Sequence, residues 1–340
     1  MKEKVIFDTN IIRNTEINTF FGGRPELELF IQDADIIIPF TVVEEIKRQK
    51  KAVLKSKRDS FVSNPFHKLR GINEVDTNSF DIDAHIQKLI DQETIPFEVI
   101  DLKSNDVLPL IKELAITKQP PFEAGDNTDK GFKDALIYFS VLEYLQEVPN
   151  KYVFVCAKDN RLGEAFKNNP NVFVVKDYSE FKQHSISQFF DDYFIEKVNE
   201  ELGITITKEN IKEYWYNIND NKVLLIEFEG EEYVIETDSG EIVDSCKKSE
   251  YAGEIENLIN SPNFNSTDRI VENLLDYNNY FSGVEVLKIL DASYYNSQIN
   301  WIIHKPQIKQ LIGSLYKSKR EFIQDSLVST FLKKNFINIT

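Results

Sequence analysis

Cysteine and histidine are scarce in this chain. Two cysteines, Cys156 and Cys246, and four histidines, His67, His85, His184 and His304, are spread over 340 residues. No spacing among them suits zinc, and two thiols in a chain this long fit a reducing compartment rather than a disulfide framework. Cys156 sits inside an apolar run and reads as a small core residue. Four scattered histidines suggest no Ser/His/Asp triad. A Walker loop, a dinucleotide glycine fingerprint and an HExxH helix are absent. No apolar run approaches the length of a bilayer span, and Met1-Lys2-Glu3-Lys4 leads straight into a strand-like segment, so a cytoplasmic protein without membrane contact is expected.

Positive charge is also in short supply. Lys and Arg number 40 against 56 acids, a net charge of −16 that at first argues against a nucleic-acid partner. The deficit is local, however: residues 180–260 carry 20 acids and 7 Lys or Arg, and the remainder is close to neutral. That remainder contains a dense basic run, Lys47, Arg48, Lys50, Lys51, Lys55, Lys57 and Arg58, suited to steering phosphates. Lys50, Lys51 and Lys55 are its candidate phosphate contacts.

What is present is ordinary for a globular protein, with 41% hydrophobic and 28% charged residues, and the length suits two domains, 1–185 and 186–340. Val5-Ile6-Phe7 reads as a buried strand ending on Asp8-Thr9-Asn10. Further strands are expected at 35–39, 97–100, 151–156 and 172–175, separated by helices at about 27–31, 42–58, 106–117, 130–139 and 162–167. Segment 60–95 reads as helical, with Phe61, Phe66, Leu69, Ile86, Leu89 and Ile90 turned inward. Residues 119–127 read as a loop. Strands alternating with helices through residue 176 argue for an α/β fold with a parallel sheet. Beyond it, 186–202 reads as a helix, 204–245 as antiparallel strands with turns at Glu229-Gly230-Glu231 and Asp238-Ser239-Gly240, and 268–290, 296–313 and 318–335 as helices, making a C-terminal α+β region of unassigned role. Tyr214, Trp215, Tyr216 and Trp301 are assigned to core or interface packing rather than to base stacking.

Asp8, one of the pair Glu44-Glu45, Asp134 and Asp159 all fall at strand ends or first helical turns of this one sheet. Ligands of open parallel sheets bind outside the carboxyl ends of the strands. Taken singly, each acid is explained as a helix cap or a favourable charge at a helix N-terminus. Four carboxylates at one edge would repel one another unless cations sat among them, and hard oxygen donors select Mg²⁺ or Mn²⁺. Such ions activate water and stabilise a leaving oxygen in phosphodiester cleavage.

The arrangement resembles the PIN-domain nucleases, a family that includes the ribonucleases of bacterial toxin–antitoxin pairs. The resemblance is carried by Phe7-Asp8-Thr9-Asn10, by Pro39-x-x-Val42-Val43-x-Glu45-Ile46, by Gly131-Phe132-Lys133-Asp134-Ala135 and by Val155-Cys156-Ala157-Lys158-Asp159. It covers roughly residues 1–180 and is nearest to longer bacterial PIN-like proteins. It implies a three-layer fold around a parallel sheet of order 3-2-1-4-5, and a metal-dependent endoribonuclease acting on single-stranded RNA. Asp8, Glu45, Asp134 and Asp159 are then the catalytic and metal-ligating acids, with Asn10, Thr9 and Asn160 supporting them. A toxin or phage-defence role, an antitoxin or other protein partner and a homodimer all remain open on this resemblance. Alternatives are a PIN-like module that binds RNA or protein without cutting, and a DNA-cleaving relative.

The chain departs from the family in having Ala157 where a Thr or Ser is usual, and in a longer 55–95 stretch. A haloacid-dehalogenase phosphatase would need an Asp where Asn10 stands. Thr41-x-x-Glu44 has the spacing of a capping box, which assigns Glu44 a structural task. At about 100° per residue, Glu45 lies on the flank nearer the sheet. Glu45 is therefore expected to be the ligand.

Overall fold

A computed structural model describes residues 2–14, 16–124, 130–148, 152–187, 189 and 191–336. The last part of the expected 119–127 loop, from 125 onward, and Lys151 at the head of the expected fourth strand lie outside these residues. The chain divides into two compact units, Glu3–Gln183 and His184–Thr340 with Met1–Lys2.

In the N-terminal unit, β1 (Glu3–Phe7), β2 (Ala34–Pro39), β3 (Glu98–Ile100), β4 (Val153–Cys156) and β5 (Val172–Val175) form one parallel sheet in the order β3-β2-β1-β4-β5. This is the order the family resemblance implies. Val5, Ile6, Phe7, Ile37, Ile38, Val153 and Val155 are buried whichever way their side chains point, as in a parallel sheet covered on both faces. The covering helices are α1 (Thr9–Ile12), α2 (Arg24–Asp33), α3 (Phe40–Ser63), α4 (Pro65–Leu69), α5 (Glu74–Asn78), α6 (Ile82–Asp91), α7 (Leu108–Thr117), α8 (Phe132–Glu147) and α9 (Asn160–Phe166). Three aromatic rings fix the centre: Phe30 of α2 meets Phe7 edge-on with centroids 5.0 Å apart, and Phe181 at 5.2 Å.

Helix α3 is longer than the expected 42–58 and carries an arm of short helices. Asn64 caps α4, Asn73 caps α5 and Asp81 caps α6 through side-chain oxygens, so this stretch is cut into turns by its own capping residues. Ile86 and Leu89 point inward as expected, but Phe61, Phe66 and Leu69 do not; Phe66 and Leu69 are 72% and 78% exposed. Short helices joined by tight caps offer too little continuous surface to bury every apolar residue they contain.

In the C-terminal unit, β6 (Ile211–Tyr216), β7 (Lys222–Phe228), β8 (Glu231–Asp238) and β9 (Glu241–Lys247) form an antiparallel meander. The β7–β8 loop is Glu229-Gly230, both at positive φ, the conformation that matches strand twist in a two-residue hairpin. Tyr214, Trp215 and Tyr216 are buried, in keeping with a packing role, whereas Trp301 is exposed.

The helices of this unit are shorter than expected. Residues 186–202 are divided where Asp191 caps Asp192–Leu202 by accepting from the Phe194 N–H at 2.6 Å. The expected 268–290 helix becomes Phe264–Leu275 and Gly283–Tyr295, because Ser282 and Glu285 form a capping box that starts a new helix. Pro306 likewise opens Pro306–Lys319, and Ser326–Phe336 closes the described chain. No helix among the described residues is long and apolar enough to cross a membrane.

Candidate active site

Asp8 leaves the C-terminal end of β1 and caps α1. It is 4% exposed; its Oδ1 accepts from the Thr9 N–H at 2.7 Å and its Oδ2 from Asn10 Nδ2 at 3.2 Å. Thr9 Oγ1 reaches across to Glu45 Oε2 at 3.3 Å, tying the first motif to α3. Asp159, just beyond the end of β4, caps α9 by accepting from the Arg161 N–H at 2.8 Å. Asp134 stands in the first turn of α8. Asn160, the first residue of α9, is exposed, and its side chain makes no hydrogen bond among the described residues.

The glycine preceding α8 has a steric reason. Gly131 has φ of +122°, and a Cβ there would come within 2.5 Å of Phe122 Cα and 2.8 Å of the Pro121 carbonyl oxygen. Only glycine lets the loop pass this close and still deliver Asp134 to the sheet edge.

The four acids act on one another. Burial pushes Asp134 up to about 6, helped by the negative charges of Asp8, Asp159 and Glu45. Asp8 is raised as well, mainly by burial, against its amide hydrogen bonds. Burial also pushes Glu45 up, but the Lys133 ammonium, 2.8 Å from Oε1, and bonds from Gln49 and Thr9 outweigh it and hold Glu45 below its ordinary value. Arg161 holds Asp159 low, with Nε 3.2 Å from Oδ1 and Nη2 2.7 Å from Oδ2. Arg161 Nη1 also lies 3.0 Å from Glu123 Oε1.

Lys133 and Arg161 thus offset Glu45 and Asp159, while Asp8 and Asp134, the two raised acids, make no ion pair among the described residues. That imbalance suits a divalent cation, and the donors are the hard oxygens such ions prefer. As the side chains stand, no three His, Cys, Asp or Glu groups among the described residues form a metal-binding cluster. Neither Lys133 nor Arg161 was foreseen as part of the site. Lys133 adjoins the third acid within the quoted motif, but its partner Glu45 is 88 positions away.

The two glutamates of the pair point different ways, but not because of a capping box. Glu45 turns toward Thr9 and Lys133, whereas Glu44 is exposed and paired with Lys47 at 2.7 Å. No capping box exists: α3 begins at Phe40, one residue before Thr41, with Pro39 at the cap position and no side-chain cap. Glu44→Ala should therefore change stability by less than about 0.5 kcal/mol, the scale of an exposed i,i+3 pair, as read in a urea melt.

Of the three candidate phosphate contacts, Lys50 is ruled out. It is 1% exposed, and its ammonium donates to the Glu16 and Thr19 carbonyls at 2.6 and 2.7 Å. Lys50→Met should cost about 1–3 kcal/mol of stability, since a buried side chain gives up two charged hydrogen bonds to backbone carbonyls. Unchanged urea stability in that variant would show that the two bonds contribute nothing. Lys51 is exposed and paired with Asp83 at 2.6 Å, and Lys55 is exposed with no ion pair among the described residues.

A five-stranded parallel sheet with carboxylates from β1, α3, α8 and the β4–α9 junction gathered at one edge defines a class of α/β protein. Residues 5–162 match the family described as PIN domain, so this segment of the chain is a PIN domain. No curated protein and no solved structure gave a match.

Proposed function

We propose that the N-terminal unit is a divalent-metal-dependent endoribonuclease that cleaves single-stranded RNA. The family supports nuclease chemistry in general. The observation that carries the finer reading is the gathering of four acids from four elements at one sheet edge, where burial and then the charges of Asp8, Asp159 and Glu45 raise Asp134 to about 6. Asp8, Asp134, Asp159 and Glu45 would hold Mg²⁺ or Mn²⁺. When bound, such an ion activates water and offsets charge building on the phosphate oxygens. Asn10 orients Asp8, Thr9 orients Glu45, and Asp134 exchanges a proton near neutral pH in the cation-free cluster. Lys133 and Arg161 keep Glu45 and Asp159 ionised. RNA is favoured over DNA on the family resemblance to toxin ribonucleases, and a toxin or phage-defence role with a protein partner belongs to the same reading.

The test is incubation of purified protein with single-stranded RNA and DNA in Mg²⁺, Mn²⁺ or EDTA. Cleavage of RNA with either metal and none in EDTA is expected. Full cleavage in EDTA, or none with any metal and several substrates, would overturn the proposal. Within it, Glu45→Gln should abolish cleavage and Glu44→Gln should leave it near wild type, measured on the same RNA. The reverse pattern would move the site to Glu44.

A further inference from the structure

Next to the carboxylates lies a recess. It has a volume of about 500 Å³ and opens between the first turns of α3, the loop after β3 and the start of α8. Glu45 and Lys133 line both it and the acid cluster, so whatever enters the recess is continuous with the position of the reacting phosphate. Its volume is in the range of small-ligand sites.

The lining is chemically mixed in an informative way. Phe40, the first residue of α3, contributes a ring that is 45% exposed, a large apolar surface left beside a charged site. Leu102 and Leu136 extend that apolar surface. Arg48, with 71% of its side chain exposed and Nη2 3.7 Å from Glu45 Oε1, and Lys133 are the two cations of a lining that also holds the acids Glu44, Glu45 and Asp101. Asn105, exposed and with no side-chain hydrogen bond among the described residues, supplies a carboxamide that both donates and accepts. A ring for stacking, cations for phosphate and an amide for a base edge are the three elements by which proteins recognise an unstacked nucleotide. An acidic peptide would use the cations but has no need of the ring and the amide together.

Resting on the nuclease reading above, we infer that this recess receives the base of a nucleotide flanking the scissile phosphate and gives the enzyme its base preference. The base stacks on Phe40, its edge is read by Asn105, and Arg48 contacts the adjoining phosphate.

The experiment uses the full chain and a randomised pool of single-stranded RNA. The pool is cut in Mg²⁺ and the new ends are sequenced for wild type, Phe40→Ala and Asn105→Ala. Binding of fluorescent homopolymeric octanucleotides in EDTA is measured alongside. Wild type should favour particular bases at one position beside the cut. Both variants should flatten the preference at that position, and Phe40→Ala should weaken binding of the preferred octanucleotide about tenfold, the scale of losing one stacked base. Asn105 is exposed at the start of a single 3₁₀ turn, so its variant decides the matter if Phe40→Ala does not fold. Cleavage without base preference in wild type, or an unchanged preference in the folded variants, would overturn the recess as a base site and leave the nuclease reading standing. No cleavage and no binding of any RNA by wild type would instead overturn the nuclease reading, and the recess with it.

Discussion

Asp8→Asn is expected to lower the rate of RNA cleavage by on the order of 10²-fold or more, the scale of removing one preorganised electrostatic element from a reacting centre. The substitution keeps the side-chain volume, which matters at a position only 4% exposed. Asparagine retains an oxygen that can accept from the Thr9 N–H, so the cap on α1 survives. What disappears is the anion, and with it a repulsive partner of both Asp134 and Asp159. Because burial already disfavours that anion, the variant should be no less stable than wild type in EDTA. Single-turnover cleavage together with a thermal melt separates the two effects. Wild-type activity in the variant would remove Asp8 from the mechanism; a lost melt would instead make its role structural.

Asp134→Asn should have a large effect of the other kind, on stability and its pH dependence. The carboxyl moves from an ordinary value of 3.8 to about 6, chiefly by burial and then by the charges of Asp8 and Asp159. An acid raised by folding favours the native state while it is protonated. That contribution is fully present below about pH 4 and is lost as pH rises through about 6, after which the native state carries the cost of the buried anion. A shift of this size corresponds to at most about 3 kcal/mol. In EDTA the variant should therefore match wild type near pH 4 and exceed it by about 1–3 kcal/mol at pH 8, as read from urea melts at both pH values. Adding Mg²⁺ at pH 8 should narrow the gap, because an ion bound only by the native wild-type cluster stabilises it by mass action. A variant less stable than wild type at pH 8 in EDTA would mean that Asp134 is stabilised by its surroundings rather than strained by them.

The legible parts of this protein were those written in consecutive residues. Val5-Ile6-Phe7 running into Asp8, and Val153 to Cys156 running toward Asp159, announce a buried strand that ends on an acid, because a strand covered on both faces must be apolar throughout and can turn polar only where it emerges. The alternation of such strands with helices determines a parallel sheet. The hairpin at Glu229-Gly230 is equally local, and so is the Ser282-x-x-Glu285 capping box that divides the expected 268–290 helix.

Tertiary structure decided what depends on residues far apart in the chain. Lys50 sits in a basic run that looks solvated throughout, yet the carbonyls of Glu16 and Thr19, over 30 positions away, receive its ammonium, and no property of the run itself distinguishes it from Lys51. Phe61, Phe66 and Leu69 looked like core, but Phe61 meets the His67 ring edge-on while half-exposed, and the caps that break the arm into short helices leave Phe66 and Leu69 largely exposed. Thr41 and Glu44 had the right spacing for a box that the true start of α3, at Phe40, does not permit. Composition and periodicity determined which acids could meet, since those are properties of a strand end or a helix turn. How their charge is offset, by Lys133 against Glu45 and Arg161 against Asp159, leaving Asp8 and Asp134 raised, was settled only by folding, because electrostatic coupling depends on distance in space rather than separation along the chain.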